Sequence, residues 1–289
     1  MAHCLLRAGH TLRVWNRSRE KMTPLVEAGA QGCASPEDAV RGAPIVISSL
    51  MDDGSVRAVF ADLFAKMAPG SIHLCATTIS PACADWLTEQ HHAHRGRYVS
   101  GPVVGRPDAA AKGALLQFLS GDADAIEEIQ PLCEAFASTL LPIPGPARAA
   151  NLQKLCVNFF AISLIEAMAE CYTFAEKAGA SGTIMAQFLE NAFAHPALRS
   201  YARRLLDRNL DATGGFSMRG GLKDVQLMLG AARQADCPLD LAEIIERKMQ
   251  DCIAHGLGDA DWSAIQEATR SRAHVAAKWS EPSAPATNA

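Results

Sequence analysis

The segment AGHTLRVWNRS, residues 8–18, combines a glycine turn, a strand-like run and a polar end. Within it, residues 11–15 alternate between polar and apolar side chains, as a half-buried β-strand does. A helix-like run, residues 1–7, precedes the turn. The order helix, turn and strand is typical of a domain in which helices cover a sheet.

Short apolar runs alternate with helical patterns through the first half of the chain. The runs predict strands over residues 11–15, 44–50, 71–76, 98–104, 114–119 and 140–143. The helical patterns cover residues 18–28, 54–67 and 81–92. Because several of the strands are continuous apolar runs, we expect a mostly parallel sheet with helices on both faces.

The second half of the chain is predicted to be all-helical. After the segment PIPGP, residues 142–146, one long helical pattern without proline covers residues 149–179. Further helical patterns cover residues 184–194, 196–208, 221–235, 239–255 and 262–277. We therefore predict three segments: an α/β domain at 1–146, an all-helical domain at 147–279 and a disordered tail at 280–289.

Composition and charge narrow the classes of function. The 289 residues carry a formal net charge of −4, which disfavours a nucleic-acid partner. No apolar run reaches the roughly 18 to 20 residues of a membrane helix, so no membrane partner is expected. The nine cysteines stand singly, which is typical of reduced, mostly buried thiols in a cytoplasmic protein. No metal site is expected, and the cluster His91, His92 and His94 is interpreted as a solvated segment.

The long helix carries three polar residues on one face. Asn151, Lys154 and Asn158 are three and four residues apart, which is the spacing of neighbours on a helical surface. They form either a polar stripe in solvent or part of a functional site. The apolar surroundings favour the second interpretation, because desolvation lowers the pKa of a lysine and makes it a suitable proton donor.

Polar residues follow the first predicted strand, where a dinucleotide-binding fold contacts the adenosine ribose. An acidic residue there suits a free 2′-hydroxyl, whereas an arginine accommodates a 2′-phosphate. This chain has Asn16 and Arg17 at that point, which favours NADP over NAD, although NAD is possible. Ser18 is also interpreted as the N-cap of the following helix, and both interpretations can hold together.

Six segments occur in a fixed order along the chain: AGHTLRVWNRS, ISSLMDD, TTISP, GPVVGRPDAAAKG, NLQKLCVN and GLKDVQLMLGAA. Together they resemble the β-hydroxyacid dehydrogenase family, which includes 3-hydroxyisobutyrate and tartronate-semialdehyde enzymes. The family is related to 6-phosphogluconate dehydrogenase and imine reductases. The resemblance implies a Rossmann-like α/β domain followed by an all-α domain, an NAD(P)-dependent oxidoreductase activity, a small-molecule substrate and a homodimer through the helical domain.

The resemblance also implies roles for single residues. Lys154 matches the general acid/base of the family's KxxxN motif, and Asn158 matches the asparagine that holds the substrate. Residues expected to contact the cofactor are Asn16, Arg17, Ser18, Leu50, Met51, Thr78 and Lys223. Residues expected to contact the substrate are Val103, Val104, Gly105, Asn158 and Asp224. Related imine reductases commonly replace the lysine with Asp or Tyr, so Lys154 favours carbonyl and alcohol chemistry.

The substrate loop departs from the family pattern. Members commonly read DAPVSGG, where the serine contacts a substrate carboxylate. This chain reads SGPVVGR, with Val104 at the serine position and Arg106 shortly after it. Arg106 either meets a substrate anion or faces solvent, and no specific hydroxyacid follows from the resemblance.

A second departure is at the start of the chain. Family members begin with a strand and a GxGxMG turn, whereas this chain begins at the MA that follows them. The Rossmann-like domain is therefore expected to lack its first strand and glycine-rich turn, which receives the pyrophosphate. Two explanations are open: a start recorded at an internal Met, or a real loss that leaves a non-catalytic remnant without cofactor. An imine reductase-like enzyme is a further alternative.

Overall fold

The computed structural model describes residues 1–192, 196–213 and 215–279. The chain divides into two compact units, Met1–Lys154 and Leu155–Ala289. The tail predicted at residues 280–289 lies outside the described residues. The domain boundary predicted after residue 146 stays a prediction.

The first unit alternates helices and strands, as the sequence predicts. Its helices are α1 (Ala2–Arg7), α2 (Thr23–Glu27), α3 (Pro36–Val40), α4 (Asp53–Phe60), α5 (Pro81–Ala93), α6 (Pro107–Lys112) and α7 (Ala123–Cys133). Its strands are β1 (Arg13–Val14), β2 (Gln31–Gly32), β3 (Ile45–Ser48), β4 (Ile72–Cys75), β5 (Arg97–Ser100), β6 (Val103–Val104), β7 (Leu115–Gly121) and β8 (Ala137–Pro142). The α/β class is confirmed.

Two sheets form the centre of this unit. The larger sheet has the order β3-β4-β5-β7-β6, with β8 also paired to β7. β3, β4 and β5 are parallel to one another, and β8 is parallel to β7. β7 runs antiparallel to both β5 and β6. A separate parallel sheet contains β1 and β2, so the sheets are mostly parallel, as predicted.

The strand predicted over residues 98–104 is interrupted in the structure. β5 ends at Ser100 and β6 begins at Val103, because Pro102 lacks the N–H that a continuous ladder needs. Gly101 also packs closely, since a Cβ added there would overlap the side chain of Leu74. The break separates the end of β5 from the segment that carries the predicted substrate residues.

The helix predicted over residues 18–28 is also interrupted. A 3₁₀ turn, Arg19–Met22, is followed by α2, which has Pro24 near its N-terminus where proline is tolerated. The capping role predicted for Ser18 is wrong, because its side chain makes no capping hydrogen bond. Instead, its backbone N–H donates to Asn16 Oδ1 at 2.9 Å.

Buried thiols and histidines fill part of the first unit. All nine cysteines of the chain are free, and six of them are buried, which agrees with the sequence-based prediction. The interpretation of residues 91–94 as solvated is wrong for His91, which is only 2% exposed. Its Nε2 lies 2.8 Å from His73 Nδ1, and His73 Nε2 lies 2.7 Å from Ser48 Oγ.

The second unit is helical, and α8 enters it from the first unit. Its helices are α8 (Arg148–Lys177), α9 (Gly182–Ala192), α10 (Pro196–Leu206), α11 (Met218–Gln234), α12 (Asp240–Ala254) and α13 (Gln266–Arg272). Its core contains Ile162, Ile165 and Met168 of α8, packed with side chains of the later helices. The prediction of an all-helical second half is confirmed for the described residues.

α8 is more apolar over its length than the sequence analysis predicts for any segment of the chain. By length and composition alone, Arg148–Lys177 could cross a membrane, so the expectation that no stretch is long and apolar enough is wrong. One such helix is weak support for a membrane span, because the core helix of a soluble protein has the same composition. The contribution of α8 to the helical core accounts for much of its apolar sequence.

Candidate active site

Two loops at the carboxyl ends of β3 and β4 are hydrogen-bonded to each other. The backbone N–H of Leu50 donates to Thr77 Oγ1 at 2.9 Å. Asp53 accepts hydrogen bonds from the N–H of Ser80, at 2.8 Å, and from its hydroxyl. These bonds bring Leu50 and Met51 close to the loop that carries Thr78. In open α/β sheets, ligands bind beside such strand ends.

The exposure of these loop residues differs. Met51 is 66% exposed, which is unusual for a large apolar side chain. Thr78 is half-buried, whereas its neighbour Thr77 is buried and holds the β3 loop. Met51 and Thr78, both predicted to contact the cofactor, are therefore accessible at this edge, as are the exposed Ser49 and the half-buried Leu50.

Lys154 lies on α8, within the first unit. Its side chain is buried, with 8% exposed. Three residues earlier, the fully buried Asn151 accepts a hydrogen bond from the N–H of Ile79 at 3.4 Å and donates one to Ser100 Oγ. The turn of α8 that carries Lys154 is thus joined to the ends of β4 and β5.

The predicted substrate segment continues from the end of β5. Val103 and Val104 form β6, pair with Gln117 and Leu116 of β7, and are half-buried. Gly105 has φ +145°, and a Cβ there would lie 2.6 Å from Leu115 Cδ2. The segment therefore offers apolar side chains and backbone groups to a ligand, and position 104 carries no hydroxyl.

In the helical unit, Asn158, Lys223 and Asp224 come together. Asn158 Nδ2 donates a hydrogen bond to Asp224 Oδ2, and Lys223 Nζ lies 2.7 Å from Asp224 Oδ1. Asp224 is only 4% exposed, so its charge needs these partners. Asn158 is four residues after Lys154 on α8, and this spacing places both on one face of the helix.

Asn16 and Arg17 follow the carboxyl end of β1, and both are exposed. Within the described ranges, the guanidinium group of Arg17 has no ion pair or hydrogen bond. An exposed planar cation of this kind can bind an anion such as a phosphate group.

Sequence reasoning left out some residues that organise these loops. Asn151 was recognised as a neighbour of Lys154 on the helix, but its bonds to Ser100 and Ile79 connect distant parts of the sequence. The Thr77 bond to Leu50 likewise spans two loops. The polar residues that follow β3 and β4 are the only signal for these contacts. Among the described residues, no group of three or more His, Cys, Asp or Glu could hold a metal ion.

The two parts of the chain each match a known protein family. Residues 1–145 match the NAD binding domain of 6-phosphogluconate dehydrogenase. Residues 149–269 match the domain described as NAD-binding of NADP-dependent 3-hydroxyisobutyrate dehydrogenase. Together the two matches cover most of the chain.

Similar proteins include an uncharacterized oxidoreductase, YfjR, of Bacillus subtilis, which is 36% identical over 92% of this chain and 93% of its own length. The NAD-dependent L-serine dehydrogenase of Pseudomonas aeruginosa is 29% identical over 92% of each chain. A solved structure, 3-hydroxyisobutyrate dehydrogenase from Salmonella typhimurium, shares the fold with a TM-score of 0.83 at 24% identity, covering 92% of this chain and 94% of that one. The chain belongs to the β-hydroxyacid dehydrogenase family and is an NAD(P)-dependent oxidoreductase of that type.

Proposed function

We propose that this chain transfers a hydride between NADP(H) and a small hydroxyacid or the matching carbonyl compound, with Lys154 as general acid/base. The observation that carries the proposal is the position of Lys154. It is a buried lysine on α8, one turn from Asn151, which joins this helix to the ends of β4 and β5. A buried, positioned amine suits proton transfer to or from a substrate oxygen.

The proposed reaction needs one proton transfer from the protein. A bound nicotinamide exchanges a hydride with the substrate carbon. In oxidation, the neutral amine of Lys154 takes the hydroxyl proton as the carbonyl forms. In reduction, the ammonium group of Lys154 gives a proton to the carbonyl oxygen. Asn158 orients the substrate through its amide, which Asp224 holds in one orientation.

The preference for NADP rests on Arg17 and Asn16. Both follow β1 and are exposed, and no acidic side chain stands between Trp15 and Arg19. An acidic residue at this point would repel a 2′-phosphate, whereas a guanidinium group can bind it with two parallel hydrogen bonds. One matching domain is described as that of an NADP-dependent enzyme, which also favours NADP. NAD remains the alternative cofactor.

The proposed substrate is a carboxylic acid with a hydroxyl group on its third carbon. L-serine, named for the Pseudomonas aeruginosa relative, and 3-hydroxyisobutyrate, named for the matching domain, both have this structure. Val103 and Val104 offer no hydroxyl donor in the segment that follows β5. We therefore propose that carboxylate recognition relies on groups other than a serine in this segment.

Two measurements test the proposed function. NADPH fluorescence is titrated with the protein, and the protein is then assayed with L-serine, 3-hydroxyisobutyrate, short aldehydes and cyclic imines, using both cofactors. NADPH binding with oxidation of a hydroxyacid supports the proposal. Absence of binding at millimolar NADPH would refute it in favour of a non-catalytic remnant, and turnover restricted to imines would favour an imine reductase-like enzyme. Lys154 argues against the imine alternative, because related imine reductases commonly carry Asp or Tyr at that position.

We further propose a homodimer formed through the helical unit, in the cytoplasm and without nucleic-acid or membrane partners. Four large apolar side chains of α8 and α9 are more than 60% exposed: Phe160, Phe174, Ile184 and Phe188. Phe160 and Phe174 are 14 residues apart, a spacing that keeps both on one side of a helix. An apolar stripe of this kind is more stable when a second copy of the same stripe covers it.

A further inference from the structure

We infer that Asn151 is a positioning residue for Lys154: its buried side-chain amide fixes the turn of α8 that carries the amine relative to the loops after β4 and β5. The inference rests on the proposed role of Lys154 in proton transfer. Asn151 touches neither cofactor nor substrate in this account. Its effect on the reaction passes through the location of the Lys154 side chain.

Both the oxygen and the nitrogen of the Asn151 side-chain amide form hydrogen bonds. Its oxygen accepts from the N–H of Ile79, 3.4 Å away, and its nitrogen donates to the hydroxyl of Ser100. Asn151, Ile79 and Ser100 are each fully buried. A hydrogen bond between groups that water cannot reach is costly to break, because the partners left behind stay unsatisfied.

The two partners belong to the two segments that form the proposed site. Ile79 follows Thr78, which is expected to contact the cofactor. Ser100 is the last residue of β5 and is followed by the segment with Val103 and Val104, which is expected to contact the substrate. One side chain therefore sets the distance between three elements: the β4 loop, the end of β5 and α8.

Lys154 is the next residue on the same face of α8, three positions after Asn151. Its buried side chain has little freedom to compensate for a movement of the helix. Misplacement of a reacting group by about 1 Å can cost on the order of 100-fold in rate. Loss of the Asn151 hydrogen bonds is therefore expected to lower kcat.

Other contacts hold the start of α8 without setting the position of Lys154. Ser120 Oγ lies 2.9 Å from the carbonyl oxygens of both Ile143 and Pro146, in the segment before the helix. Arg148 pairs with Asp85 of α5 at 3.0 Å, but both side chains are well exposed. Because these anchors remain when Asn151 is shortened, loss of its amide is expected to loosen one turn and leave the unit folded.

The test compares Asn151→Ala, Ser100→Ala and the double variant with the exposed control Gln153→Ala on the same helix. The first readout is independent of activity. Each protein is treated with trace acetic anhydride, and acetylation of Lys154 is measured by mass spectrometry relative to the exposed Lys112. We expect Asn151→Ala to raise the relative acetylation of Lys154 at least threefold, with Gln153→Ala unchanged. Ser100→Ala should raise it less, and the double variant should match Asn151→Ala.

The second readout is turnover with NADP⁺ and L-serine or 3-hydroxyisobutyrate. We expect kcat to fall about tenfold or more in Asn151→Ala, with the Kd for NADPH changed less than twofold. Equal acetylation of Lys154 in Asn151→Ala and wild type would overturn the inference. If Asn151→Ala raises the acetylation of Lys154 but the wild-type protein turns over none of the substrates, the positioning of Lys154 is upheld and the proposed function is refuted instead.

Discussion

Asn158 donates a hydrogen bond to Asp224, and Lys223 lies 2.7 Å from the other oxygen of the same carboxylate. Asp224 therefore connects an amide on α8 with an ammonium group on its own helix, α11. A carboxylate that is 4% exposed is stable in this place only with such partners. The contact gives Asn158 a fixed orientation before any substrate arrives.

The first prediction concerns this contact. Removing Asn158 takes a hydrogen-bond donor from the buried carboxylate of Asp224, and a hydrogen bond to a charged group contributes about 1.5 to 3 kcal/mol. Removing Asp224 leaves the half-buried amide of Asn158 without the acceptor that fixes its orientation. Asn158→Ala and Asp224→Ala should each lower kcat/KM about 10-fold or more, and the double variant should be little worse than the single ones. Gln226→Ala, an exposed change on α11, is the control. Additive losses in the double variant would show that the two residues act separately.

Cofactor preference gives a second prediction. Arg17→Ala should raise the Kd for NADPH at least tenfold and leave the Kd for NADH within twofold, because only NADPH has the 2′-phosphate. Arg19→Ala, two residues away and also exposed, is the matched control. Fluorescence titration measures both constants. A similar weakening of NADPH and NADH would contradict the assignment of Arg17 to the phosphate.

The exposed stripe on α8 gives a third prediction. Wild-type protein should sediment as a dimer, and Phe160→Glu should sediment as a monomer, because a dimer would have to bury the new charge. Phe160 is 61% exposed in the single chain, so the substitution should not disturb the fold. Val26→Glu, in α2 and 45% exposed, is the control and should remain dimeric. A monomeric wild type, or a Phe160→Glu variant that remains dimeric, would contradict the proposal that this surface forms the dimer interface.

The fourth prediction concerns stability against acid. Burial lowers the pKa of His91 from its usual 6.5 to about 4 and lowers the pKa of His73 well below 6.5, with their mutual proximity adding to the effect on His73. The neighbours His92 and His94 lower the pKa of His91 further, whereas the Asp122 carboxylate raises it. Tyr98 stacks on the ring of His91. Both histidines are therefore neutral in the folded protein at neutral pH.

In the unfolded chain both rings take up protons near pH 6.5. The contribution of neutral His91 to the free energy of unfolding is thus fully present above pH 6.5. It falls as the pH drops from 6.5 towards 4, by up to about 1.4 kcal/mol per pH unit. His73, whose pKa is also lowered, adds a loss in the same direction. Urea unfolding at pH 7.5, 6.0 and 5.0 measures the slope. His91→Asn should show a shallower slope than wild type, whereas the exposed control His10→Asn should not. Equal slopes in His91→Asn and wild type would contradict the role of buried His91.

Much of the architecture was predictable because it depends on local patterns. Continuous apolar runs identify β3 and β4, and a long stretch without proline identifies α8. The 3.6-residue period also places Lys154 and Asn158 on one helical face. Short elements such as α3 were not predicted. In the structure the Ser35 side chain caps α3 by accepting a hydrogen bond from the N–H of Asp38, and a serine before Pro36 is a helix-start signal that the sequence contains.

Contacts between distant segments were not predictable from such patterns. The bond between Asn151 and Ser100 joins residues 51 positions apart and depends on where β5 stops. In the sequence, His91 is part of a polar histidine cluster. In the structure, its position on α5 places it in the core, where its ring contacts His73. Both contacts depend on how separate helices and strands pack against each other. The periodicity of residues along a single element does not contain that information.

The central claim is that Lys154 moves the substrate proton in an NADP(H)-dependent reaction. The most direct measurement is single-turnover NADPH formation from NADP⁺ and a hydroxyacid substrate, compared among wild type, Lys154→Ala and the exposed control Gln153→Ala. We predict a loss of about 100- to 10,000-fold in Lys154→Ala, with NADPH affinity within twofold of wild type and the control unaffected. A Lys154→Ala protein that forms NADPH at the wild-type rate would contradict the account.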